Sequence, residues 1–142
     1  ELSTCKELVY IRLRTLEAVA SFRFLERALG VLSRYDMPVY AMASSAGSFS
    51  VVTGEGNGGL EKVCRELSSF AEVVLEHEVE VICVQEGPET DEREADKNLV
   101  ALLKDIPVLM VSSEEEAGNV ALTVRRKDRE KVIRLFQSMG GQ

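Results

Sequence analysis

Residues 7 to 14, ELVYIRLR, alternate apolar with polar, the period-two pattern of a strand with one face buried. Ser21 then opens a helical pattern in which Leu25, Ala28, Leu29 and Leu32 recur at i, i+3, i+4 and i+7. That helix is expected to end near Asp36, because Pro38 follows and the residue before a proline avoids the α region. Pro38 to Ser45 and Ser48 to Thr53 read as the two strands of a hairpin that turns at Ala46-Gly47. Leu60, Val63, Cys64 and Leu67 lie on one face of a second helix. The apolar stretch from Phe70 to Gln85 is too long for one typical strand, so its length divides it at Glu76-His77-Glu78.

From Val79 the same order begins again. Val79 to Val84 forms a strand, and Asp91 with Glu94 boxes the start of a helix reaching Leu103. Pro107 to Val111 and Asn119 to Val124 are strands, and Asp128 starts a last helix with Val132, Leu135 and Phe136 inward. The order βαββαβ is thus followed by βαββα, and the punctuation repeats with it. Asp36-Met37-Pro38-Val39 leads to Ser44-Ser45 and Ala46-Gly47. Asp105-Ile106-Pro107-Val108 leads to Ser112-Ser113 and, after three extra glutamates, Ala117-Gly118. One unit written twice explains both runs, with boundaries at 1–78 and 79–142. A βαββαβ unit makes a four-stranded antiparallel sheet with both helices on one face, the α+β, ferredoxin-like class. The second copy lacks its last strand, which sequence upstream of Glu1 would supply.

Composition narrows the function classes. Hydrophobic residues make up 45% of the 142 and charged residues 29%, the mix of a soluble globular protein. No apolar run approaches the roughly 18 residues of a membrane span. No signal peptide opens the chain, and Glu1 stands where a start Met would, so it reads as a piece of something longer. The net charge is −7 and the basic residues are dispersed, against what a nucleic-acid face requires. Cys5, Cys64 and Cys83 are odd in number and widely spaced, which favours reduced thiols in a cytosol, with Cys64 and Cys83 as small apolar filler.

Candidate chemistry is sparse. Gly54-Glu55-Gly56-Asn57-Gly58-Gly59 satisfies the dinucleotide-binding spacing between a strand and a helix, with Glu76 near the end of the next strand. The preceding strand half alternates, however, whereas a central parallel strand is continuously apolar. The repeat makes it the second strand of a hairpin. His77, the single histidine, lies between Glu76 and Glu78 in the expected turn, without convergent metal ligands. Glu114-Glu115-Glu116 reads as a solvated hairpin tip. No serine or cysteine pairs with a base. What remains is the strand-to-helix junction from Ala18 to Leu25, whose helix amides would receive a carboxylate. Val39-Tyr40 and the bend from Ser44 to Gly47 are expected to face it; the plainer reading is that all of these are sheet and turn residues.

The stretch from Phe22 to Val39 (FRFLERALGVLSRYDMPV) resembles the first ACT domain of aspartate kinases, where a G-F-L-A-x-V-F motif opens the helix. The segment from Asp105 to Phe136 is similar to the second ACT domain, and the likeness runs from about Lys6 to Phe136. It implies a non-catalytic, cytoplasmic regulatory region of an enzyme whose separate catalytic domain uses ATP and Mg to phosphorylate L-aspartate, with no cofactor in this region. It also implies feedback inhibition by an end-product amino acid, association of ACT domains as a homodimer, and a second ACT domain that borrows its last strand from before the first. No nucleic acid or membrane is implied as a partner. Carried over position by position, the effector contacts fall at Ala18, Ser21, Phe24, Leu25, Val39, Tyr40, Ser45, Ala46 and Gly47. Lysine-sensitive members carry an aspartate at the place of Tyr40 and a glutamate at that of Ala46, and Arg23 replaces the usual glycine of the motif. Threonine, another amino acid or no effector therefore stay open beside lysine. Two other readings also stay open: a free-standing ACT assembly protein, and a nucleotide-binding enzyme using Gly54 to Gly59.

Overall fold

The structure, a computed structural model, describes residues 7–17, 21–54, 59–85, 104–114 and 119–140. The chain divides between Val79 and Glu80 into two compact units. In the first, β1 (Leu8–Thr15), α1 (Phe22–Arg34), β2 (Ala41–Ser44), β3 (Ser48–Gly54), α2 (Leu60–Ser68) and the earlier part of β4 (Ala71–Gln85) follow one another. The strands lie in the order β2-β3-β1-β4. All three pairings are antiparallel, with Ile11 of β1 opposite Val51 on one side and Leu75 on the other. Val9, Ile11 and Leu13 alternate onto a single face and are 1% exposed or less, where they meet residues of both helices. Both helices therefore cover one face, and the unit is α+β.

The apolar stripe of α1 is turned from its expected position. Phe24, Ala28, Val31 and Leu32 enter the core, and Leu29 stays 41% exposed. Its end is a Schellman motif: the Met37 amide donates to the Leu32 carbonyl at 3.1 Å and the Asp36 amide to the Ser33 carbonyl at 3.0 Å. Met37 and Leu32, the C″ and C3 positions, both join the core. The motif needs a left-handed residue at C′, and Asp36 supplies it with φ of 55°. A side chain there is strained where glycine is not. Asp36→Gly should stabilise the protein by about 0.5–1 kcal/mol. The check is a urea midpoint that rises at constant slope; a falling midpoint would show that the aspartate side chain contributes more than its backbone costs.

Three expectations need correction. β2 begins at Ala41, not Pro38, so Pro38 precedes the strand and Val39-Tyr40 lead into it, the Tyr40 amide donating to the Val52 carbonyl at 2.9 Å. β3 does not half alternate: every residue from Phe49 to Gly54 is buried. It is nonetheless antiparallel to both neighbours, so the glycine run does not extend the parallel βαβ unit that a dinucleotide fingerprint needs. Residues 55–58 of that run lie outside the described ones. Finally, β4 is one strand of 15 residues, and Glu76-His77-Glu78 is part of it. Tyr10 pairs with Glu76 while Leu8 pairs with Val79, one more residue on β4 than on β1. This bulge is accommodated by Glu78 at φ of 55°. His77 is thus an exposed strand residue, not a turn residue.

The second unit contains β4 from Glu80 onward, β5 (Val108–Glu114), β6 (Asn119–Arg125), a 3-10 turn (Arg126–Asp128) and α3 (Arg129–Gly140). β6 lies between β4 and β5, and β5 runs antiparallel to it. Ile82, Ile106, Val120, Leu122, Val124 and Val132 form the core, with Leu135 and Phe136 packed against it. The Glu80 carboxylate holds Arg129 at 2.9 Å and Arg126 at 3.3 Å, pinning the turn before α3. The expected helix from Asp91 to Leu103 and the acidic bend at Glu115-Glu116 fall outside the described residues.

Candidate functional site

β1 ends at Thr15, whose hydroxyl accepts the Glu17 amide at 3.2 Å and turns the chain out of the sheet. α1 starts at Ser21, whose extended backbone and hydroxyl form an N-cap, accepting the Phe24 amide at 3.2 Å. That leaves the amides of Phe22 and Arg23 as the other donors of the first turn. The first turn holds no acidic residue. The helix dipole, those amides and Arg23 all favour an anion at this end.

The bend between β2 and β3 is fixed by its serines. The Ser45 amide donates to the Ser48 carbonyl at 2.9 Å, and their hydroxyls are 2.9 Å apart. Ser45 and Ala46 are exposed. Gly47 has open space where a side chain would stand, and its carbonyl accepts the Thr15 amide at 3.1 Å. The last link seats the bend against the end of β1, where the chain leaves for α1.

The predicted site residues separate into three groups. Ser21 at the start of α1 and the bend residues Ser45, Ala46 and Gly47, the last bonded to the end of β1, are solvent-accessible. Phe24 is drawn into the core, its ring edge-on to Phe70 at 6.0 Å, and Leu25 packs beside it. Val39 and Tyr40, 57% and 43% exposed, precede β2. A strand advances about 3.3 Å per residue, so five residues put Tyr40 roughly 16 Å from Ser45 along the chain. One copy of the chain does not bring these two ends of β2 together. Ala18 lies outside the described residues. Thr15 was not anticipated: its link to the bend runs through its backbone amide, which no residue pattern announces.

A second polar cluster joins the helices. Glu66 of α2 accepts hydrogen bonds from the Tyr35 hydroxyl and, at 2.8 Å, from Arg34. The Tyr35 bond and then Arg34 hold the Glu66 carboxyl below its ordinary 4.5, while the same bond raises Tyr35. A carboxylate with a depressed native pKa contributes stability present above its unfolded value and lost as pH falls through the native one. The melting temperature should therefore exceed that of Glu66→Gln at neutral pH, and the gap should close as pH drops below about 4.5. A pH-independent gap would assign the effect to packing. Burial pushes the Cys64 thiol up, which leaves it an inert apolar group. Among the described residues no group of three side chains could hold a metal, and no helix is long and apolar enough to cross a membrane.

No family profile and no curated protein matches the sequence. The fold does match solved structures. A chain assigned as a C-terminal regulatory domain of aspartate kinase from Porphyromonas gingivalis W83 superposes with a TM-score of 0.78 at 19% identity, over 98% of this chain and 95% of that one. Aspartokinase III of E. coli, in complex with lysine and aspartate, matches at 0.72 and 18% identity, over 95% of this chain and 32% of that one. The regulatory subunit of aspartate kinase from Thermus flavus matches at 0.74 and 8% identity, over 98% and 99%. The chain has the fold of aspartate kinase regulatory domains and spans about a third of the E. coli enzyme.

Proposed function

We propose that the chain is the amino-acid-sensing regulatory region of an aspartate kinase. It consists of two ACT domains, residues 1–78 (βαββαβ) and 79–142 (βαββα), the second completed by a strand from upstream of Glu1. The parent uses ATP and Mg to convert L-aspartate to 4-phospho-L-aspartate in the cytoplasm, the first step toward lysine, threonine and methionine, and this region supplies its feedback inhibition. The reading rests on one observation above all: a shared fold over nearly the whole chain with regulatory domains of that enzyme.

The effector's carboxylate is received by the first-turn amides of α1 and its ammonium by oxygens of the Ser45 bend. Val39-Tyr40 stand a strand length away, so they complete the pocket of a second copy, making the sensor a homodimer. Tyr40 and Ala46 offer no carboxylate to a side-chain ammonium, and burying that charge unpaired is costly. A small neutral amino acid such as threonine fits this lining better than lysine. Inhibition follows from its unequal affinity for the two states of the parent, a coupling of about 1–3 kcal/mol.

Calorimetric titration with lysine, threonine, methionine and diaminopimelate tests the assignment. One of them should give a saturable heat that Ser45→Trp abolishes; silence from all four would reduce the region to a scaffold. The Thermus flavus subunit, matched over nearly its full length, supports a second reading: a stand-alone ACT sensor acting beside a separate catalytic chain. Copurification of a kinase with the tagged chain separates the two.

A further inference from the structure

The second unit carries a cleft of about 440 Å³ lined by Asp105, Ile106, Lys131, Arg134 and Leu135. Lys131, Arg134 and Leu135 stand at i, i+3 and i+4 of α3, hence on one face of it. Ile106, 4% exposed, and the half-buried Leu135 form an apolar floor. Lys131 and Arg134 contribute two cations to its lining and Asp105 a carboxylate.

The corresponding place in the first unit is built differently. Glu61-Lys62-Val63 and Arg65 of α2 recur 69 positions later as Glu130-Lys131-Val132 and Arg134 of α3. Val63 and Val132 are both fully buried. The ion pairs Arg65–Glu61 (3.2 Å) and Arg134–Glu130 (3.4 Å) match as well. The copies diverge, among other positions, at the three residues of a side-chain cluster, where Arg34 is replaced by Leu103. Glu66, which clamps Tyr35 and Arg34, is replaced by Leu135, and Tyr35 itself by Lys104. The first unit fills the groove at this end of its helices with a ring and a carboxylate. The second has lost both and has an apolar-floored cleft instead.

We infer that this cleft binds a free α-amino acid with a large apolar side chain, at a site separate from the β1–α1 junction and independent of the function proposed above. The Arg134 guanidinium, with Lys131, takes the carboxylate. Asp105 takes the ammonium, and the side chain covers Ile106 and Leu135. Arg134 is free to turn, since its partner Glu130 is as exposed as itself (78% and 76%) and such pairs hold weakly. Lys131 stands 4.0 Å from the buried Asp128, at the limit of an ion pair. The volume lies in the range of small-molecule clefts, about 300–1,000 Å³.

The test is calorimetric titration of the chain with L-phenylalanine and L-leucine, beside phenylalaninamide, which lacks the carboxylate, and N-acetylphenylalanine, which lacks the ammonium. Saturable binding of the free amino acids and none of the blocked forms is expected. Arg134→Gln, an exposed change that spares the fold, should weaken binding about tenfold or more. Leu135→Glu, which restores the residue of the first unit, should abolish it, with circular dichroism confirming the fold. Ser45→Trp should leave it unchanged, so a failed first-unit effector site and a failed cleft are told apart. No saturable binding, equal binding of the blocked forms, or binding indifferent to Arg134→Gln would overturn the inference, as would loss of binding on Ser45→Trp.

Discussion

Phe49→Ala is expected to destabilise the first unit by about 3–5 kcal/mol, the usual cost of truncating a buried phenylalanine. Phe49 is 2% exposed and sits on β3 opposite Leu13 of β1 and Ser44 of β2, in the cluster that holds Phe24, Leu32 and Leu67. Its ring is enclosed by backbone that two ladders fix, so the cavity has little means of collapsing. Domains of this size are stable by about 5–15 kcal/mol in total, so the variant should unfold at much lower urea, with an unchanged slope. Val39→Ala, at a 57% exposed position, serves as the control and should stay within about 0.5 kcal/mol. A loss below 1 kcal/mol for Phe49→Ala would mean that the core is not assembled around β3 as described.

Val132→Asp should be as severe in the second unit, and its severity should depend on pH. Val132 is fully buried, and its cluster partners Ile82, Ile106, Val120, Leu122 and Val124 are all apolar. A carboxylate placed among them finds no cation or donor and keeps its proton, which raises its native pKa by several units. Below about pH 4 the side chain is neutral in both states, and the penalty is that of an unmatched polar group. As pH rises, the unfolded chain ionises while the native one resists, and stability falls by about 1.4 kcal/mol per unit until the native pKa is reached. The variant should thus lose about 4 kcal/mol or more at neutral pH and recover part of it in acid. Denaturation midpoints at pH 4 and pH 7 measure this, and equal losses at both would show that water reaches the site.

Much of the first unit is legible because its core positions follow simple periods. The alternation through Val9, Ile11 and Leu13 marks the covered face of β1, and Leu60, Val63 and Leu67 mark that of α2. α1 was harder to orient. Its apolar residues spread over about half the circumference, and the sheet takes Phe24 and Val31 at one side of that arc while Leu29 at the other stays exposed. The continuity of β4 was hidden by its length: 15 residues exceed a typical strand, and a bulge with Glu78 in the left-handed region lets the ladder pass through Glu76-His77-Glu78. At the candidate site, Ser21 as a helix cap and Gly47 in a bend follow from residue type, while the Thr15 to Gly47 bond is backbone to backbone and leaves no trace in side-chain identity. The shared Glu-Lys-Val-x-Arg run at 61 and 130 was there to be read, and it repeats the 69-residue offset of Pro38 and Pro107.

The shortness of β2 limits what can grow from the sheet. Four residues form its ladder, with Pro38 just upstream and unable to donate, and β2 is the terminal strand in the sheet order. A neighbouring molecule that added a strand there would gain only a few hydrogen bonds and could leave again. Such an edge resists runaway stacking into fibrils at high concentration.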